Sequence, residues 1–227
     1  MLPPVAPPDP PSLAQRLTAE ALGSAFLLAI VVGSGIMAER LAGGNIALAL
    51  LANTLATGAG LIALILTFGP VSSHFNPLVT LMSAAQRDLA WRDVPGYLAA
   101  QIGGAFVGVW SAHTMFAVDM LQASTKVRSG FAQAFSEWVA TLGLLLVIAS
   151  VAKHRRDAVA YAVGAYITAA YWFTSSTSFA NPAVTLARAA TESFAGIRAA
   201  DAPLFIVAQF VALGTALVIV PRLFGEK

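Results

Sequence analysis

The sequence predicts an all-α membrane protein with six transmembrane helices plus two re-entrant half-helices, arranged as an inverted repeat. Three observations predict it. Hydrophobic residues make up 58% of the 227-residue chain and charged residues 11%, with a mean hydropathy of +0.76, far from the balance of a soluble domain. The apolar residues gather in stretches at about 18–38, 45–68, 94–117, 132–152, 158–176 and 201–220, most of them long enough to cross a bilayer as a helix. An Asn-Pro-x-Val-Thr-Leu element also occurs twice, at Asn76 and at Asn181, each time just after such a stretch.

Composition also excludes several kinds of chemistry. The chain has no cysteine, so it has no disulfide or thiolate site. His74, His113 and His154 stand in three separate regions, which argues against a metal centre. No phosphate-binding Gly-Lys-Ser/Thr loop or His-Glu-x-x-His motif occurs, and no cofactor is implied. The pI of 9.2 does not indicate nucleic-acid binding. Basic residues sit singly between spans, and the run Lys153-His154-Arg155-Arg156 reads as a cytoplasmic membrane flank.

The organisation is simple. Residues 1–14 read as a disordered proline-rich tail (Pro3, Pro4, Pro7, Pro8, Pro10 and Pro11), residues 15–222 as one membrane domain, and 223–227 as a C-terminal tail. With both termini inside, Arg16, Arg87, Arg92, Lys153, Arg155, Arg156, Arg222 and Lys227 fall on the cytoplasmic side. Arg40, Lys126, Arg128, Arg188 and Arg198 fall outside. This is a modest positive-inside bias, consistent with that orientation of a multi-pass protein.

The repeat divides the domain into halves at about 15–117 and 132–222. Glu20 opens the first span and Glu137 the fourth; Gln101 lies in the third and Gln209 in the sixth. Three spans per half is an odd number, so the halves insert with opposite orientation. Each Asn-Pro pair reads as an asparagine cap followed by a first-turn proline, which loses no hydrogen bond there. Short helices are predicted near 77–86 and 182–190, too short to span. Entering from opposite faces, they would meet N-terminus to N-terminus at the midplane. Asn76 and Asn181 would then offer amide donors to whatever passes.

With these residues in place, the chain resembles the major intrinsic protein family, the aquaporins and aquaglyceroporins, over about residues 15–222. The family's two Asn-Pro-Ala signatures look like Asn76-Pro77-Leu78 and Asn181-Pro182-Ala183, and its paired acids look like Glu20 and Glu137. The resemblance implies a passive channel with a central constriction at Asn76, Asn181, Leu78 and Ala183, and four copies per assembly in the lipid bilayer. It also implies that Glu20, Glu137, His74, Gln101 and Gln209 support the half-helices. Leu78 replaces an alanine, and either narrows the constriction or packs behind the asparagine.

The outer selectivity filter departs further. The family's arginine after the second signature is here Val184, and the nearest arginine, Arg188, is one turn on, a candidate vestibule charge. The other filter positions carry over to Thr57 (or Ala56), Ala169 and Ser178, all small. Such a filter is similar to that of a bacterial subgroup associated with arsenic-resistance operons. It implies passage of neutral trivalent arsenicals and metalloid hydroxides, glycerol-like polyols and water. The alternatives are a water-selective channel, or a proton-coupled transporter using Glu20 or Glu137. An enzyme would need convergent catalytic groups, which the sequence does not offer. Small residues at Ala100, Gly104 and Gly108, and at Ala208, Ala212 and Ala216, predict close helix packing.

Overall fold

The computed structural model describes residues 10–225. The first helix, α1 (Leu13–Leu41), starts where Ser12 and Gln15 form a capping box. Ser12 Oγ accepts from the Gln15 N–H, and Gln15 Oε1 accepts from the Ser12 N–H at 2.8 Å. This cap draws residues 13 and 14, read from sequence as tail, into the helix. The remainder of the proline tail, residues 1–9, lies outside the described residues. Next come α2 (Ile46–Phe68), capped by Asn45, and the short α3 (Pro77–Ala85). Then α4 (Val94–Met115), α5 (Phe131–His154) and α6 (Val159–Phe173) follow. The short α7 (Pro182–Arg188) and α8 (Ala202–Phe224) complete the chain.

Both half-helices start at the predicted proline. The long helices match the six apolar stretches to within a few residues. On length and composition α1, α2, α5 and α8 can each cross a membrane. With 22 residues, α4 extends about 33 Å at 1.5 Å per residue, whereas α6 has 15 and extends about 22 Å. A 3₁₀ turn at Arg156–Ala158 leads directly into α6. Large apolar side chains such as Phe26, Leu55, Val107, Phe131, Trp172 and Val211 are exposed on the outer surface. That inversion of the usual surface suits lipid contact.

The halves pack by the same plan: α1 against α4, α5 against α8, and α2 against α6 between them. Small residues permit the contacts. A Cβ added at Gly104 would lie 2.2 Å from the Ala21 carbonyl oxygen, and one at Gly108 would lie 2.1 Å from that of Ala25. In the second half, Ala212 and Ala216 are fully buried while Ala208 is half-buried. Helices α2 and α6 cross at Gly58 and Gly164, where a Cβ on Gly164 would sit 2.7 Å from the Gly58 carbonyl oxygen. His113, to which the sequence assigned no role, is wholly buried. Its ring nitrogens meet Met120 O at 2.9 Å and Thr191 Oγ1 at 2.8 Å, tying together the two loops that follow α4 and α7.

Candidate pore

Each half-helix is held by a carboxylate from a long helix. Glu20 Oε1 accepts from Ser72 Oγ (2.6 Å) and the His74 N–H (2.7 Å), and Oε2 from the Phe75 N–H (2.7 Å) and Gln101 Nε2 (2.8 Å). Glu137 does the same in the other half. Its oxygens accept from the Phe179 N–H (2.8 Å), the Ala180 N–H (2.9 Å) and Gln209 Nε2 (2.7 Å). Gln101 and Gln209 each donate a second bond, to Thr80 and Thr185 Oγ1, both at 2.9 Å. Both glutamates are fully buried. A buried carboxylate is tolerable only when its oxygens are satisfied in this way. With every oxygen occupied by N–H or O–H donors, the geometry is that of a scaffold.

These bonds aim the loops so that the two half-helices meet head to head. Asn76 and Asn181 both sit in extended conformation ahead of a proline, as the steric demand of Pro77 and Pro182 requires. The carbonyl oxygen of each side chain caps its own helix: Asn76 Oδ1 accepts from the Leu78 N–H (3.0 Å), and Asn181 Oδ1 from those of Ala183 (2.9 Å) and Val184 (3.3 Å). Each amide nitrogen reaches across, Asn76 Nδ2 to Ala180 O at 2.8 Å and Asn181 Nδ2 to Phe75 O at 2.7 Å. An amide carries two donors, so each nitrogen keeps one for the cavity it borders.

That cavity holds about 270 Å³ and runs the length of the contact between the halves. Along α6 it is lined by Val159, Val163, Ile167 and Tyr171, a span of about 18 Å. Along α2 it is lined by Thr57, Leu61 and Ile65. One end holds Gln86 and Asp88, the middle Asn76 and Asn181, and the other end Ser178, Val184 and Arg188. The aliphatic walls from α2, α5 and α6 face a polar track from the two loops, including Ser73 and His74. His74 both anchors its loop through its backbone and borders the cavity, with Nδ1 3.1 Å from Thr80 Oγ1.

Three sequence assignments change. Ala169 lies on the exposed outer face of α6 and does not line the cavity. Tyr171, two residues on and thus about 200° around the helix, lines it instead and donates from its hydroxyl to Thr57 Oγ1 at 3.4 Å. The Arg188 end therefore contains an aromatic ring, contrary to the all-small filter expected. Leu78 and Ala183 also stand away from the cavity. Leu78 is fully buried among Leu145, Leu213 and Ala216, so it packs behind the asparagine rather than narrowing the channel. Ala183 is buried in the main apolar cluster. Thr57, Ser178 and Val184 border the cavity. The sequence did carry a signal for Tyr171: residues 159, 163, 167 and 171 form one stripe at four-residue spacing, as do 57, 61 and 65.

Comparison with known proteins places the chain among its relatives. The family model for major intrinsic proteins matches residues 9–159. The aquaglyceroporin AqpS of Rhizobium meliloti (strain 1021) is 52% identical over 206 residues, covering 90% of this chain and 88% of that one. Aquaglyceroporin-3 of Trypanosoma brucei brucei is 42% identical over 105 residues, 46% of this chain and 33% of its own length. The X-ray structure of the aquaglyceroporin from Plasmodium falciparum superposes with a TM-score of 0.69 at 20% identity, covering 95% of this chain and 96% of that one. That last likeness speaks to the fold, and the sequence matches speak to kinship. The chain belongs to the major intrinsic protein family, as a multi-pass membrane channel for small neutral solutes or water.

Proposed function

We propose that the pore passively conducts small, uncharged, hydroxylated solutes, namely trivalent arsenic as As(OH)3, related metalloid hydroxides and glycerol-like polyols, together with water. The observation that carries this reading is Val184. It borders the cavity next to the second signature, where a guanidinium at that position would both narrow and polarise the opening. Thr57, Ser178 and the Tyr171 hydroxyl offer hydroxyl groups there, while Val184, Ile167 and Phe179 offer apolar surface. A solute with several hydroxyls around a compact centre matches such a mixed wall. The relative named an aquaglyceroporin that shares 52% identity supports the same direction.

In this reading both termini face the cytoplasm in a bacterial inner membrane, which puts the Arg188 end of the pore outside. Four copies assemble, each with its own pore. The test is stopped-flow light scattering on proteoliposomes with inward gradients of sucrose, glycerol or neutral arsenite. Fast reswelling with arsenite or glycerol, absent from empty liposomes and indifferent to a proton gradient, supports it. Tyr171 favours a second reading, a water-selective pore, because its ring borders the same opening. Water flux without solute reswelling would establish that reading and remove the metalloid assignment.

A further inference from the structure

Beyond the central asparagines, the structure gathers three cations without an ion pair among the described residues near the Arg188 end of the pore. Arg188 is 2% exposed. Its Nε donates to the Ala195 carbonyl, and its guanidinium carbon lies 3.4 Å from the centre of the Phe179 ring. Those two contacts fix the group. Its two terminal nitrogens take no partner among the described residues, although the residue borders the cavity. Buried arginine nitrogens usually find acceptors, so a free guanidinium edge facing a cavity points to a ligand.

Arg128 approaches the same ring, with its guanidinium carbon 5.1 Å from the ring centre. It donates to Gly196 O at 2.9 Å and Ser176 O at 3.2 Å. Lys126 donates to Phe194 O at 2.8 Å and stands over that residue's ring. None of the three side chains forms an ion pair among the described residues. The neighbouring carboxylates bond to other groups: Glu39 to the Phe194 N–H, Glu192 to Thr125, Asp201 to Arg198 and the Arg128 N–H, and Glu137 to the half-helix loop. Mutual repulsion registers on Lys126, whose ammonium is held down to about 8 by burial and then by Arg128 and Arg188. Among the described residues no carboxylate pairs with the Arg188 guanidinium, and its terminal edge is left open.

We propose that this mouth is an oxyanion site: Arg188, backed by Arg128 and Lys126, docks one small monovalent oxyanion on its free edge, where the anion competes with neutral solute. A planar fork of donors matches paired oxygens and not a spherical halide. The site does not require Val184 to be charged. It lies one helical turn beyond that residue, at the end of α7.

The inference rests on the channel reading and not on any particular solute, so water flux serves as its readout. Proteoliposomes are assayed at constant ionic strength in chloride, in nitrate and in phosphate held below its second pKa. Nitrate and phosphate should slow water efflux saturably while chloride does not. Arg188→Lys keeps the charge but loses the fork, and should weaken oxyanion inhibition about tenfold, measured against that variant's own water flux in chloride. Arg188→Gln should abolish it, and Arg188→Lys decides if that variant does not fold. Equal inhibition by chloride and phosphate, or unchanged phosphate inhibition in Arg188→Lys, overturns the site. Absence of wild-type water flux would instead overturn the channel reading.

Discussion

The side-chain amide of Asn76 donates to the carbonyl oxygen of Ala180 at 2.8 Å, one residue ahead of the asparagine whose own amide returns the bond to Phe75. The two acceptor residues share an unusual backbone. Phe75 has φ of 50° and Ala180 φ of 48°, a left-handed conformation that costs a residue with a Cβ about 1–2 kcal/mol. At each, the N–H is held by a buried glutamate and the C=O by the opposite asparagine. The strain turns the loop so that carbonyls and amides face the cavity, and the two halves pay for it jointly.

Removing one asparagine therefore should affect both halves. Asn181→Ala loses the cap on α7, worth about 0.5–2 kcal/mol. It also leaves the buried Phe75 carbonyl unpartnered, at about 1–3 kcal/mol. Thermal unfolding in detergent should fall clearly below wild type, and water permeability of folded protein should drop. A variant of wild-type stability would show that the crossed bonds contribute nothing.

Glu137→Gln separates a scaffold from a proton site. The amide can accept with only one of its groups, so either the Phe179 or the Ala180 N–H, or Gln209, loses its acceptor. Hydrogen bonds to charged groups contribute about 1.5–3 kcal/mol each, so yield and stability should fall. Whatever protein folds should still conduct without regard to a proton gradient. Gradient-driven uptake in wild type that vanishes in Glu137→Gln would identify a coupled transporter instead.

The helix contacts give a sharper test of packing. Gly108→Leu must place its Cβ where the Ala25 carbonyl now stands, and backbone cannot yield as a side-chain tip would. Overpacking of this kind costs about 1–3 kcal/mol or more. The expected result is loss of monodisperse protein on size-exclusion chromatography. Gly103→Leu, on the same helix where an added Cβ meets nothing within 4 Å, should behave as wild type.

The repeat, the six long helices and both half-helix starts were legible because each rests on local chemistry: apolar length, an asparagine cap and a proline at the first turn. The glutamate and glutamine braces were legible as matched pairs, since a duplicated polar residue inside a span needs a duplicated partner. What failed was rotation about a helix axis. Ala169 and Tyr171 differ by two positions, and no local propensity chooses which faces the pore. The four-residue stripe through Val159, Val163 and Ile167 does choose, and its next position is Tyr171. Arg128 and His113 were illegible for another reason. Their partners, Gly196 and Thr191, lie in a loop far along the chain with no sequence pattern to join them.

Lys126 sets a pH dependence. Its folded pKa of about 8 lies below the ordinary 10.5, first because burial penalises the charge and then because Arg128 and Arg188 face it, against Glu39 and Glu192. Between those values the unfolded chain binds more protons than the folded one, so stability rises with pH across that window. The site is half open to solvent, which screens the effect to about 1–2 kcal/mol at most. Thermal stability should increase from pH 8 towards pH 10, and Lys126→Met should flatten that rise. The same slope in both proteins would rule out Lys126 as its source.

Tyr171 and Val184 make opposite demands on the opening at the Arg188 end, and two substitutions set one against the other. Both border the cavity at the Arg188 end, and Tyr171 on α6 is joined to Thr57 on the adjoining α2. Tyr171→Ala removes the one large ring contributed there by α6 and should raise glycerol reswelling relative to water flux. Val184→Arg adds a long cation beside Arg188 and should cut glycerol and arsenite passage more than water passage, since the larger solute feels the narrowing first. If Tyr171→Ala leaves the glycerol-to-water ratio unchanged, the limiting width lies deeper, at the asparagines, and the opening at the Arg188 end does not select. If Val184→Arg leaves the ratio unchanged while Tyr171→Ala raises it, the ring rather than the missing arginine determines what this pore admits.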